Sequence, residues 1–229
     1  MCGRFTMTRR DRSELAAMLC VPESELGDYT PRFNIAPTQP HFVLKTKYEN
    51  REAIAATWGL VNSWAKDASR ASMCINAKAE TIDKLPSFRG AFEKRRCVVP
   101  VDGFYEWRGP TARREPLWIH PADDGALLLF AGLFEAWQFQ PGEWRTTFTI
   151  ITTSANRLLE PIHNRMPVIL DEADATDWMN LREPNPLSLK RLLVPAPDNL
   201  LVVRPVSPLV NSVKNEGPEL LEDMSLFGQ

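Results

Sequence analysis

The sequence predicts an α+β fold: a mostly antiparallel, β-barrel-like core with several peripheral helices, in a single domain. Three observations carry that expectation. Short apolar runs of strand length recur from end to end, 19 prolines punctuate them, and only a few stretches space their apolar residues as helices do. Across 229 residues, a hydrophobic share of 44% is enough for one full core.

In chain order the strand candidates are HFVLKT (41–46), EAIAATWGL (52–60), CVVPVDGFYEW (97–107), EPLWIH (115–120), ALLLFAGLFEAW (126–137), TTFTIITT (146–153), MPVIL (166–170) and LLVVRPV (200–206). The helix candidates are RDRSELAAMLC (10–20), AKAETIDKL (77–85), FRGAFEKR (88–95), DEADATDWMNL (171–181) and PLSLKRLL (186–193). In the first, Leu15, Met18 and Leu19 share one helical face. In the fourth, acidic residues fill the first turn, where they complement the helix dipole. No repeat or linker divides the chain, and only the closing EGPELLEDMSLFGQ has a composition that favours disorder.

Composition narrows the function classes. No apolar run approaches the roughly 18 residues that a membrane span needs, and the N-terminus lacks a hydrophobic signal region, so a cytoplasmic protein is expected. The four cysteines lie at wide, irregular spacings without a CxxC pair, which argues against zinc. Cys20 and Cys97 read as core cysteines. A formal net charge of -2, from 27 basic and 29 acidic residues, argues against a generic nucleic-acid binder but leaves room for a local basic groove. The clusters Arg4, Arg9, Arg10, Arg12 and Lys94, Arg95, Arg96 read first as solvated faces.

The chain opens MCGRF, and a small second residue permits removal of Met1. Trimming places the α-amine and thiol of Cys2 on adjacent carbons. A model α-amine titrates at about 7.7–8.0 and a free thiol near about 8.5, so part of the amine is neutral at pH 7. Such an amine forms a Schiff base with an aldehyde, and the thiol then closes a five-membered thiazolidine. A second reading makes the thiolate an amide-attacking nucleophile with the amine as base; the bland alternative is a spectator in a loose tail.

Three further residues are candidates for chemistry. His163, in the proline-flanked loop EPIHNRMP, reads either as a proton shuttle or as a satisfied loop histidine. If 97–107 runs as a strand, Glu106 shares a face with Phe104 and reads either as a partly desolvated carboxylate suited to acid/base work or as a solvent-facing Glu on an amphipathic strand. Asn76 precedes a helix candidate and reads equally as a helix N-cap. His41 and His120 sit at strand ends and read as structural or surface residues.

Eight segments in order, MCGRF, RFNIAP, WGL, INAKAE, VPVDGFYEW, IITTSAN, IHNRMPVIL and VNSVKN, resemble the SOS response-associated peptidase (SRAP) family. The resemblance runs from Met1 to about Lys214. It implies one α+β domain over residues 1–216, followed by a tail at 217–229. It also implies covalent capture of abasic sites in single-stranded DNA by a thiazolidine at Cys2, in the service of DNA repair, with lyase and self-processing activities as further expectations.

By matching position, Cys2 is the nucleophile, Glu106 and His163 transfer protons, and Asn76 orients the amine or substrate. Arg4 and Arg165 grip phosphates, Asn34 and Thr152 line the site, and Trp64 stacks on a base. Lys78 stands where the family has arginine, keeping the charge without the bidentate fork. The expected partner is single-stranded DNA with an abasic site, bound by a monomer without metal or organic cofactor. Two other classes fit parts of the sequence: an N-terminal-nucleophile amidohydrolase, although its glutamine-binding arginine motif is missing, and a non-catalytic single-strand binding module.

Overall fold

The computed structural model describes residues 2–48, 50–110, 114–183 and 185–224. Five strands close into a barrel: β3 (Pro40–Lys47), β4 (Asn50–Trp58), β6 (Arg96–Val101), β9 (Leu128–Gln140) and β10 (Glu143–Ser154). The order runs β10-β4-β3-β6-β9 and returns to β10. All of these pairings are antiparallel except β4 with β10, where Thr57 faces Thr147 in a parallel pair.

Three short strands extend the barrel around β9 and β10. β5 (Asn76–Lys78) runs parallel to β10, and β11 (Arg165–Pro167) antiparallel to it. β12 (Ile169–Leu170) joins β9. A second, five-stranded antiparallel sheet has the order β13-β8-β7-β1-β2, built from β1 (Phe5–Met7), β2 (Arg32–Ile35), β7 (Gly103–Arg108), β8 (Glu115–Pro121) and β13 (Leu201–Pro205). It packs on the barrel through Phe104 against Phe130 and Phe5 against Trp58, with ring centroids 5.6 and 4.9 Å apart. One cluster of buried side chains runs through both sheets, as a single α+β domain requires.

Helices α1 (Arg12–Leu19), α2 (Pro86–Lys94) and α3 (Glu172–Met179) lie outside the strands. Asp11 caps α1 by accepting from the Glu14 amide, Pro86 opens α2, and Asp171 caps α3 by accepting from the Asp174 amide.

Several segments depart from expectation. The stretch 97–107 is two strands in two sheets. Asp102 makes the corner, its carboxylate accepting from Thr6 Oγ1 (2.5 Å), the Thr8 amide (2.5 Å) and Thr8 Oγ1 (2.7 Å). Glu106 therefore belongs to β7, and both faces of that strand are covered. Likewise 166–170 divides at Val168, whose amide donates to Ile151 on β10 while its carbonyl accepts from Ala131 on β9.

The 77–85 helix does not form: residues 76–78 pair with β10 and the chain then runs in turns, so sheet pairing overrides local propensity. Asn76 is accordingly a strand residue, not a helix cap. Residues Pro186–Leu192 form a 3-10 helix. Strands β1, β2 and β5 had no strand prediction, each being only three or four residues long.

Cys20 is exposed in a left-handed conformation at the end of α1, whereas Cys97 is buried. Arg96, read as solvated, is 1% exposed; it donates to the carbonyls of Phe92, Glu93, Trp178 and Asn180 and so ties the ends of α2 and α3. His41 is buried, its Nε2 2.9 Å from the Pro100 carbonyl. In the segment set apart as a tail, Pro218–Leu221 forms a 3-10 turn that buries Leu220. Residues 225–229 and Met1 lie outside the described residues. Among the described residues, no helix is long and apolar enough to cross a membrane.

Candidate active site around Cys2

The first residues enter the five-stranded sheet through β1, which lies between β2 and β7. That placement settles where Cys2 goes. The Arg4 carbonyl accepts from the Tyr105 amide of β7 at 3.0 Å and from Cys2 Sγ at 3.8 Å. The Cys2 carbonyl accepts from Asn76 Nδ2 at 2.9 Å. Asn76 is fixed in turn because β5 pairs with β10, Asn76 facing Ile150.

Glu106 follows Tyr105 on β7 and is buried. Cys2 is fully buried, and that burial pushes its thiol well above the ordinary range; the nearby Glu106 carboxylate adds to the shift. Cys2, Asn76 and Glu106 thus converge from three strands or strand entries, although they are 74 and 30 residues apart in sequence.

A second group lies on β5, β10 and β11. Lys78 faces Thr152, and Ser154 faces Arg165. Arg165 donates Nη1 to Glu80 Oε1 (2.6 Å) and Nη2 to Glu80 Oε2 (2.9 Å) and to the Thr152 carbonyl (2.6 Å). Its amide donates to His163 Nδ1 at 2.9 Å. Because Nδ1 accepts, the ring proton of neutral His163 is assigned to Nε2. Thr152 is buried, its Oγ1 3.5 Å from the Ala77 carbonyl.

A third group ties down the segment that follows β13. Arg4 donates Nη1 to Asn34 Oδ1 (2.7 Å) and to the Val210 carbonyl (2.8 Å), while Nη2 keeps a 3.5 Å contact to the Asn211 carbonyl. Asn34, fully buried, donates to the carbonyls of Ser212 and Asn215, both at 2.9 Å. Both residues thus serve the scaffold around the site. Trp64 is 70% exposed on the loop after β4.

Sequence reasoning passed over two partners. Trp107 lies 5.7 Å from the Arg4 guanidinium and donates Nε1 to Asn211 Oδ1 at 2.7 Å. Glu80 holds Arg165. Both sit inside segments singled out above, VPVDGFYEW and INAKAE, and VNSVKN contains Asn211. Among the described residues, no group of three or more His, Cys, Asp or Glu side chains is placed to hold a metal ion.

The fold and site define a barrel protein with a buried residue-2 thiol beside a carboxylate and an amide. The family model described as SOS response associated peptidase (SRAP) matches residues 1–213, and the chain belongs to that family. Among relatives, the chain is 37% identical over 222 residues to the abasic site processing protein YoqW of Bacillus subtilis (strain 168), covering 97% of this chain and 99% of that protein. It is 33% identical to the abasic site processing protein HMCES of Gallus gallus, covering 87% of this chain and 68% of that protein. A crystal structure of a protein from Bacteroides thetaiotaomicron superimposes with a TM-score of 0.84 at 25% identity, covering 97% of this chain and 99% of that one.

Proposed function

We propose that this chain processes abasic sites in DNA, and that it does so by capturing them covalently in single strands through Cys2. The names of its relatives suggest the lesion. The convergence of Cys2, Asn76 and Glu106 is the observation that carries the chemistry.

Removal of Met1 frees the α-amine. The abasic sugar opens from its cyclic hemiacetal to an aldehyde at C1′. The amine nitrogen bonds to C1′, and loss of one water leaves a C=N Schiff base. Sγ then bonds to C1′; the C=N π pair returns to nitrogen, which gains a proton, while the thiol gives one up. Thiazolidine formation therefore releases a single water and changes no oxidation state.

The order of steps follows from the thiol. Burial and Glu106 keep it protonated near neutral pH, so the amine reacts first. Glu106 carries protons in sugar opening and accepts the thiol proton in ring closure. His163, with Nδ1 occupied, assists through Nε2. Asn76 holds the Cys2 carbonyl, which fixes the direction of amine and thiol. Lys78, Arg165 and the Nη2 edge of Arg4 grip flanking phosphates, Trp64 stacks on a base, and Asn34 and Thr152 support the site from beneath. The crosslink shields the lesion from strand cleavage.

The test is a denaturing gel. Trimmed protein is mixed with a single-stranded oligonucleotide carrying one abasic site, beside Cys2→Ala and an intact strand. A heat-resistant shifted band that needs both Cys2 and the lesion is expected. Absence of that band from protein shown to lack Met1 rules the reading out.

A further inference from the structure

The Arg165 guanidinium is already engaged. Its two terminal nitrogens meet the two oxygens of Glu80 side by side, at 2.6 and 2.9 Å. That bidentate geometry is the one by which arginine takes a phosphate. Nη2 is further committed to the Thr152 carbonyl, which also accepts from the Ala79 amide at 2.9 Å. A phosphate arriving at Arg165 therefore meets a carboxylate in its place.

Glu80 can vacate that place. Its side chain is 54% exposed, whereas that of Arg165 is only 15% exposed and anchored to β10. Hydrogen bonding to Arg165 holds the Glu80 carboxyl below the usual range, and Lys78 adds to the same field, so Glu80 is ionised at neutral pH. It lies in the field of both cations, and both belong to the proposed strand path.

We infer that Glu80 is a specificity-determining residue: an internal anion that occupies the phosphate seat of Arg165 and must be displaced by the DNA backbone. This rests on the DNA reading above. Its consequence is selectivity. A strand held only through its backbone must expel Glu80 with little in return, whereas a lesion that bonds to Cys2 is held in place by that bond while Glu80 is displaced. Glu80 thus weakens the hold on intact strands without preventing capture.

The test measures binding of an intact single-stranded oligonucleotide by fluorescence anisotropy over a salt series, for wild type and Glu80→Gln, with the abasic-site gel run on both. Glu80→Gln is expected to bind intact strand roughly two- to fivefold more tightly at low salt, the scale of an exposed ion pair. The slope of log K against log salt should steepen by about 0.7, one phosphate's share on single strands. In an Arg165→Gln background the gain should shrink.

Unchanged or weaker binding with an unchanged slope would overturn the inference and leave Glu80 as a tie that orients Arg165. An undiminished gain in the Arg165→Gln background would also overturn it, by reducing Glu80 to general surface charge. If wild type neither binds the strand nor crosslinks, the DNA reading falls and takes this inference with it. If wild type crosslinks while Glu80→Gln binds no better, only this inference falls.

Discussion

Cys2 and Glu106 constrain each other. A thiol with no exposed surface and a carboxylate nearby resists ionisation, so in the proposed capture Sγ needs a proton acceptor as it attacks. Glu106 is suited to that task. Glu106→Gln keeps the shape and loses the acceptor, and crosslinking should slow on the order of 100-fold, the usual scale of general acid/base assistance. Affinity for an intact strand should stay nearly unchanged, because Glu106 is buried and presents no surface to a strand's backbone. A quenched time course on denaturing gels and an anisotropy titration check the two halves; equal rates would remove Glu106 from the proton transfers. At this scale the motifs named Cys2, Asn76 and Glu106 one by one, and the fold brings the three together. The sequence was poorly legible for Arg4, Asn34 and Arg165. A motif names such residues without showing that their polar atoms already serve Val210, Ser212 and Glu80.

Among the elements, Arg96 has the most depending on it. Its guanidinium satisfies carbonyls at the ends of two helices, with bonds of 2.7 Å to Trp178, 2.9 Å to Phe92 and to Glu93, and 2.6 Å to Asn180. Arg96→Ala leaves these carbonyls without their donors and opens a cavity, and should cost on the order of 3–5 kcal/mol in urea denaturation. Arg96→Lys should rescue little, since one ammonium lacks the planar spread of five donors. A near-normal midpoint for either variant would contradict the tie between α2 and α3. The same residue shows why some elements were hidden in the sequence. Longer strands such as β3, β9 and β10 announce themselves by apolar runs, and α1 by its spacing. The short strands β1, β2 and β5 exist because neighbours pair with them, and nothing within three or four residues records that. The corner at Asp102 depends on Thr6 and Thr8, nearly a hundred residues away, so a local reading joined β6 to β7.

For the molecule as a whole, acid should loosen the junction between barrel and sheet. His41, at the start of β3, packs edge-on against Phe5 of β1 with centroids 5.0 Å apart. Burial lowers its pKa from 6.5 to about 4, despite the opposing hydrogen bond to Pro100. A histidine kept neutral in the fold contributes stability that is fully present above its unfolded pKa and is lost as pH falls from 6.5 toward 4. The loss should reach the order of 3 kcal/mol. His41→Gln should lose less stability than wild type between pH 7 and 4.5 in urea titrations; parallel losses would place the acid sensitivity elsewhere. The interleaving of β1 between β2 and β7 has a temporal consequence as well. During synthesis Cys2 meets its partners only after residues 76, 106 and 150 have been made, several seconds or more later at about 5–20 residues per second. Until then Cys2 has neither Asn76 nor Glu106 beside it. Long-range strand pairing, rather than the N-terminal segment alone, assembles the group.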